Sequence, residues 1–214
     1  MFEYPSILSS AKAPRKPMIA FEKLDGSNIR VKWTEKKGFH LFGSRTQLID
    51  ATNLELGGVV SVFNETCKEQ LERLVRKQFS GVKEVVAFGE YVGPNSFAGV
   101  HTDPIEHMRF VLFDLLLRKK TAEEFVAPQE FVKLTKKLDL PVAQVVYEGT
   151  LGEDFIQKVR FNTLETDLDE GVVCKGRERS TNYAGGIWMC KVKTLHYLEK
   201  LKLRYGNDWI RYWE

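Results

Sequence analysis

Short apolar runs and period-two alternation dominate this chain, and only a few segments carry the three-to-four-residue recurrence of a helix. Residues 18–43 predict three strands, "MIAFEKL", "NIRVKW" and "FHLFG". Asp25-Gly26-Ser27-Asn28 lies between the first two and is good turn chemistry, so taken alone this segment reads as a hairpin. From about 55 to 79, Val59, Val62, Phe63, Cys67, Leu71, Leu74, Val75 and Phe79 fall at helical spacing with charges between them, predicting one long amphipathic helix. "EVVAFGEYVG" (84–93) and "MRFVLFDLLLRK" (108–119) predict strands, the second buried, and 128–138 predicts a helix with Pro128 near its first turn. "PVAQVVYEG" reads as a strand and "DFIQKVRFNTL" as a short helix. "EGVVCKG" and "IWMCKVK" read as strands separated by the turn-rich "RERSTNYAGG", and a helix from Leu195 to Tyr205 ends near Gly206. Strands outnumber helices without alternating regularly with them, which indicates the α+β class rather than a doubly wound sheet.

At 214 residues the chain suits one large domain, or one domain with a short appendage, and is long enough to enclose a cleft. Hydrophobic residues at 43% and charged residues at 29% are ordinary for a soluble protein, and no apolar run approaches the roughly 20 residues of a bilayer span. The N-terminus lacks the basic-then-apolar order of a signal peptide, so a cytoplasmic location is expected. A net charge of +3 says little about nucleic acid, but basic and aromatic residues interleave in the tail at Lys200, Lys202, Arg204, Trp209, Arg211 and Trp213. Such a pattern suits phosphate contact with base stacking, although a solvated amphipathic helix gives the same pattern and is its more common cause. Cys67, Cys174 and Cys190 are odd in number and not at metal-ligand spacing, as expected of reduced thiols. His40, His101, His107 and His196 likewise read as ordinary loop or strand residues. The turn-rich loop 92–104 is either part of a nucleic-acid surface or a plain connection.

Lys23 raises the chemical question. A lysine becomes a nucleophile when its amine is neutral, a state favoured by desolvation and by nearby positive charge. Lys191 and Lys193, two apart in "MCKVKT", share one strand face and supply such charge. Glu90 in "FGEYVG" and Glu170 in "LDEGVVCKG" each lie in a glycine-flanked strand segment, and Arg45 lies in "GSRTQ". Singly, each of these reads as a surface residue.

Together and in this order, they resemble the covalent nucleotidyltransferase superfamily of polynucleotide ligases and mRNA capping enzymes. "EKLDGSN" resembles motif I with its nucleotidyl-accepting lysine at Lys23, and "SRT" the arginine segment that follows. "FGEYVG" resembles motif III, "VLFDLLL" motif IIIa, "DEGVVCKG" motif IV and "MCKVKT" motif V. The likeness runs from about residue 20 to 194. Asn28 and the short lead of 22 residues before Lys23 are most similar to the second family of ATP-dependent RNA ligases, the phage and RNA-editing type. Asp25, where that branch often carries histidine, is the aspartate usual in DNA ligases and capping enzymes.

The resemblance implies an α+β nucleotidyltransferase domain, an ATP-grasp-like ligase adenylation fold with antiparallel sheets flanked by helices. That domain is expected over 1–194; the chain departs from the DNA ligases and capping enzymes in that only 21 residues follow Lys193, so 195–214 is expected to be a helical tail with no oligonucleotide-binding barrel. It implies ATP as donor, Mg²⁺ with Mn²⁺ as a substitute, and 5′-phosphate and 3′-hydroxyl RNA ends in a nicked or bridged duplex as substrate. A minimal DNA ligase is the alternative, and a non-catalytic nucleotide- or RNA-binding module of the same fold is another. A bacterial or phage-infected cytoplasm is the expected setting. By the same resemblance Lys23 accepts the adenylate, Lys191 and Lys193 neutralise the α-phosphate, and Glu170 holds the metal with Asn28 and Asp25 near its water shell. Glu90 meets the ribose hydroxyls, Arg45 the ribose or a phosphate, Phe113 stacks on adenine, Glu22 reaches the adenine edge and Gly26 belongs to the nucleotide turn.

Overall fold

The computed structural model describes residues 3–13, 15–120, 122–178 and 188–212. Strand β1 (Leu8–Ser9) is followed by β2 (Pro17–Lys23), β3 (Ser27–Thr34), β4 (Gly38–Gly43) and β5 (Leu48–Ile49), then by helices α1 (Gly58–Thr66) and α2 (Lys68–Gln78). Next come β6 (Glu84–Val92), β7 (Arg109–Arg118), β8 (Glu123–Phe125) and α3 (Pro128–Thr135). The chain ends with β9 (Val145–Thr150), α4 (Glu153–Arg160), β10 (Gly171–Gly176), β11 (Met189–Lys193) and α5 (Leu195–Tyr205). The α+β expectation holds. Two compact units result, one of Asp25–Val142 with Tyr4, the other of Pro5–Leu24 with the chain from Ala143 onward.

The hairpin suggested by Asp25-Gly26-Ser27-Asn28 does not form. β2 pairs with β9 and β10 in a five-stranded sheet of order β1-β11-β10-β2-β9, whereas β3 pairs with β4 and β6 in a six-stranded sheet of order β5-β4-β3-β6-β7-β8. The apolar run "PVAQVVYEG" is divided in the same way. The Leu112 N–H donates to the Pro141 carbonyl in the first unit, and backbone bonding with β2 begins at Gln144 in the second.

In the six-stranded unit, α1 and α2 cover one sheet face. Phe63 of α1 is fully buried, with its ring edge-on to Phe39, Phe42 and Phe110 at centroid distances of 5.3, 5.5 and 5.0 Å. The expected single helix breaks at Cys67, whose φ of −120° and ψ of −36° leave the helical region. Thr66 Oγ1 turns back to the Val62 carbonyl at 2.7 Å, a bond that bends helices, and the Cys67 thiol meets the Phe110 carbonyl at 3.8 Å. The apolar residues on both sides of the break are buried, so the periodicity runs through an interruption it does not reveal.

In the other unit one sheet face forms the core. Met18 and Ala20 of β2, Val172 and Cys174 of β10, and Cys190 and Val192 of β11 pack with Phe155 and Val159 of α4 and with Trp188. Alternation therefore turns Phe21, Lys23, Val173, Lys175, Lys191 and Lys193 to the opposite face. α5 starts on the Thr194 hydroxyl, which accepts the Tyr197 N–H at 3.1 Å, and buries Tyr197, Leu198 and Leu201. Of the basic tail residues, Lys200 pairs with Asp169 at 2.8 Å, Lys202 lies over the Trp209 ring at 4.6 Å and Arg211 pairs with Asp208 at 3.4 Å. Trp213 and most of "RERSTNYAGG" fall outside the described residues. Cys67, Cys174 and Cys190 are buried and form no disulfide, and among the described residues no helix is long and apolar enough to cross a membrane.

Candidate active site

β10 sets the register of the charged face. Gly171 pairs with Lys23 on one side and Lys193 on the other, and Val173 pairs with Phe21 and Lys191. Glu170, only 3% exposed, precedes Gly171 and divides its carboxylate between the two lysines: Oε2 accepts from Lys23 Nζ at 2.7 Å and Oε1 from Lys193 Nζ at 3.2 Å. The Glu170 carbonyl accepts the Thr194 N–H at 3.0 Å, and Thr194 Oγ1 donates to the Asp169 carbonyl at 2.9 Å, so the end of β11 holds the carboxylate's backbone. Lys193 is buried, its ammonium 5.0 Å from the centroid of Tyr197. Lys191 is half-buried on the same face and pairs in register with Ser9.

Gly171 is required where it stands. Its φ is +144°, and an added Cβ would overlap the Val192 carbonyl oxygen and press on Lys193 Cα. Gly171→Ala is expected to lower stability by about 2–4 kcal/mol, from backbone strain and overpacking together. Urea unfolding checks this through a lower midpoint at unchanged slope.

Lys175, one row further along β10, is a lysine that sequence reasoning passed over. It is 3% exposed and its ammonium lies 5.0 Å from the Phe21 ring centroid. A buried lysine is uncommon without charge or aromatic compensation, and its place in "EGVVCKG" was the available signal.

In the six-stranded unit, Asn28 of β3 pairs in register with Glu90 of β6, and Arg30 with Phe88. A Cβ on Gly89 would strike the Phe110 ring, so Gly89 points toward α1 while Phe88 and Glu90 take the other face with Asn28 and Arg30. β7 carries a bulge here: Phe88 pairs with Asp114 and Gly89 with Leu112, leaving Phe113 as the extra residue. The bulge re-aims Phe113 alongside Phe88, with centroids 6.5 Å apart and planes at 24°. Asp114, 5% exposed, accepts the Tyr4 hydroxyl at 2.8 Å, and the Tyr4 ring stands edge-on to Phe113, Phe88 and Phe125. Burial and the facing carboxylate push the Tyr4 phenol well above its ordinary pKa. Tyr4 had no pattern to announce it, whereas a carboxylate inside "VLFDLLL" was a signal that Asp114 has a specific partner.

Arg45 is exposed in the turn between β4 and β5. The Glu22 N–H is given to the Gln144 carbonyl at 2.8 Å, which removes that donor from any adenine contact. Asp25 is buried, and its Oδ1 accepts the Ala98 N–H at 2.8 Å. A Cβ on Gly26 would overlap the Tyr91 carbonyl oxygen, so only glycine allows this close approach.

Among the described residues no three histidine, cysteine or acidic side chains gather as metal ligands. A single buried carboxylate suits Mg²⁺, which keeps several waters and takes further oxygens from a phosphate substrate, better than it suits a cation that needs a protein cage.

Solved structures share this fold. A putative ATP-dependent DNA ligase from Aquifex aeolicus superposes with a TM-score of 0.63 at 20% identity, over 99% of this chain and 57% of that one. An archaeal ATP-dependent RNA ligase gives 0.65 at 16%, over 97% and 52%. A Naegleria gruberi RNA ligase mutant with ATP and Mn gives 0.60 at 17%, over 86% and 51%. The chain thus spans little more than half the length of these proteins. No curated protein matches it. The family model described as RNA ligase matches residues 16–193, the stretch that carries Lys23, Glu170 and both β11 lysines, and the chain belongs to that family.

Proposed function

We propose that the chain is the adenylylating part of an ATP-dependent RNA ligase that joins 5′-phosphate to 3′-hydroxyl ends through a lysyl-AMP intermediate. The observation that carries the reading is the Glu170 carboxylate shared between Lys23 and Lys193 on the charged face of β2, β10 and β11. Structural neighbours described with ATP and Mn support the choice of nucleotide and of a divalent ion.

In this reading the neutral Lys23 Nζ attacks the α-phosphorus of the substrate ATP, a nitrogen–phosphorus bond forms as Nζ releases a proton to solvent, and the bond to the departing pyrophosphate breaks. The 5′-phosphate of RNA then takes the adenylate from Lys23, and a 3′-hydroxyl displaces AMP. Such displacements depend chiefly on alignment and charge neutralisation. Lys191 and Lys193 supply positive charge for the α-phosphate. Lys23 Nζ lies 2.7 Å from Glu170 Oε2, so this contact must open before the amine can turn to the α-phosphorus. Mg²⁺ held by Glu170 would compensate the carboxylate in place of Lys23 and add positive charge beside the phosphates. For Asn28 the reading is contact with metal-bound water, for Glu90 with ribose hydroxyls, for Arg45 with the ribose or a phosphate, and for Phe113 with the adenine face.

Intact-mass measurement after incubation with Mg²⁺ and ATP, GTP or NAD tests the proposal: one AMP gained from ATP is expected, and no adduct from any donor sinks it. The neighbour described as a DNA ligase keeps DNA as a second substrate reading. Sealing of nicked RNA faster than nicked DNA supports RNA, and the reverse order replaces it.

A further inference from the structure

The loop between β6 and β7 is built rather than slack. The Gly93 N–H donates to Ser96 Oγ at 2.8 Å, and Asp103 accepts from the Asn95 backbone N–H at 2.9 Å and from Asn95 Nδ2 at 2.7 Å. Across the tip, Phe97 and Val100 exchange two backbone hydrogen bonds of 3.0 Å around Ala98 and Gly99, at φ of +50° and +80°. The left-handed region costs an alanine roughly 1–2 kcal/mol, so something specific must hold the tip in this shape.

Two contacts do so, and both run to the turn that follows Lys23. One is the Ala98 N–H to Asp25 Oδ1. The other is a relay through His101, whose Nε2 lies 2.8 Å from Ser27 Oγ and whose Nδ1 lies 2.8 Å from Ser96 Oγ. The imidazole is half-buried beside Tyr91, with ring centroids 5.3 Å apart. Burial pulls its pKa below the ordinary value, against the opposing charge of Asp103, so the ring is neutral near pH 7. A neutral imidazole has one donor and one acceptor nitrogen, which is what a bridge between two hydroxyls requires.

We propose that His101 is a positioning residue for adenylylation: through Ser27 it fixes the turn that joins the strand of Lys23 to the strand of Asn28. The inference rests on Lys23 being the nucleophile. Ser27 opens β3 opposite Tyr91, and Asn28 follows it opposite Glu90, so a shift at Ser27 displaces the register on which both polar side chains depend. Misplacement by about 1 Å costs in-line chemistry roughly 100-fold.

The test is the rate at which the purified full chain acquires AMP, across ATP concentrations, in the native protein, His101→Ala, His101→Gln, Ser27→Ala and the His101/Ser27 double alanine variant. The single alanine variants are expected to lower the saturated rate about 10–100-fold while leaving half-saturating ATP within about threefold. The double variant should be no slower than the slower single, because the relay acts as one unit, and glutamine should restore part of the rate. Native-like rates in His101→Ala, or losses that multiply in the double variant, overturn the proposal. Should His101→Ala fail to fold, Ser27→Ala decides, since it removes a single oxygen. A native chain that takes no AMP defeats this inference together with the reading of Lys23. A native chain that takes AMP beside an unimpaired His101→Ala defeats the role of His101 alone.

Discussion

Lys23→Ala is expected to acquire no AMP, a loss of about 10⁴-fold or more in adduct formation, while remaining folded. The loss is large because nothing else on the face can substitute in line: Lys193 shares the same carboxylate but projects from β11, on the far side of Gly171. The fold should survive because Lys23 closes β2 and its side chain is 22% exposed, and because Glu170 keeps Lys193 as a partner when Lys23 is gone. A stability cost of about 1 kcal/mol is therefore expected, that of one partly exposed charged hydrogen bond. Intact mass reports the adduct and urea unfolding the stability. An AMP adduct retained in Lys23→Ala would move the nucleophile to Lys191, Lys193 or Lys175, which peptide mapping would distinguish. A non-catalytic binding module predicts that native protein and variant behave alike.

Strand identity was legible where alternation or a continuous apolar run lasted long enough, as in β2, β3, β6, β7 and β10. Partner choice was not. Asp25-Gly26-Ser27-Asn28 has the composition of a hairpin turn, but β2 finds β9 and β10 from more than a hundred residues away, and local turn chemistry carries no information about such pairing. The two-residue strands β1 and β5 are too short to show any period. The break at Cys67 sits inside a run whose apolar phase continues on both sides. The bulge at Phe113 puts Phe113 and Asp114 on one face where strict alternation separates them, so the aromatic candidate was legible and its neighbour's contact with Tyr4 was not. The charged face fared better. Spacing alone placed Lys191 and Lys193 together, and resemblance added Lys23 and Glu170; the structure joins three of these four through one carboxylate. The contact of Asp25 Oδ1 with the Ala98 N–H in the loop after β6 was not legible from the resemblance.

Glu170→Ala should be the most damaging substitution, because it acts on stability and chemistry at once. Removing the carboxylate leaves two ammonium groups, on the strands that flank β10, without their shared partner, one of them on a side chain only 7% exposed. Breaking a buried pair from one side costs about 3–5 kcal/mol, because the remaining charge stays desolvated. The lower end is expected, since Lys23 can turn toward water. Glu170→Gln separates the two effects. The amide keeps the shape and one acceptor oxygen, so packing against Gly171 and Thr194 persists. It removes the negative charge, however, and turns an N–H₂ toward one of the lysines. Glu170→Gln is thus expected to recover roughly half of the lost stability while adduct formation stays at least about 100-fold below the native rate, at any Mg²⁺ concentration. Paired urea unfolding and AMP-adduct rates over a Mg²⁺ series check this. If Glu170→Gln regains the native rate, the carboxylate is only a brace for the two lysines, and the metal must be held by other residues.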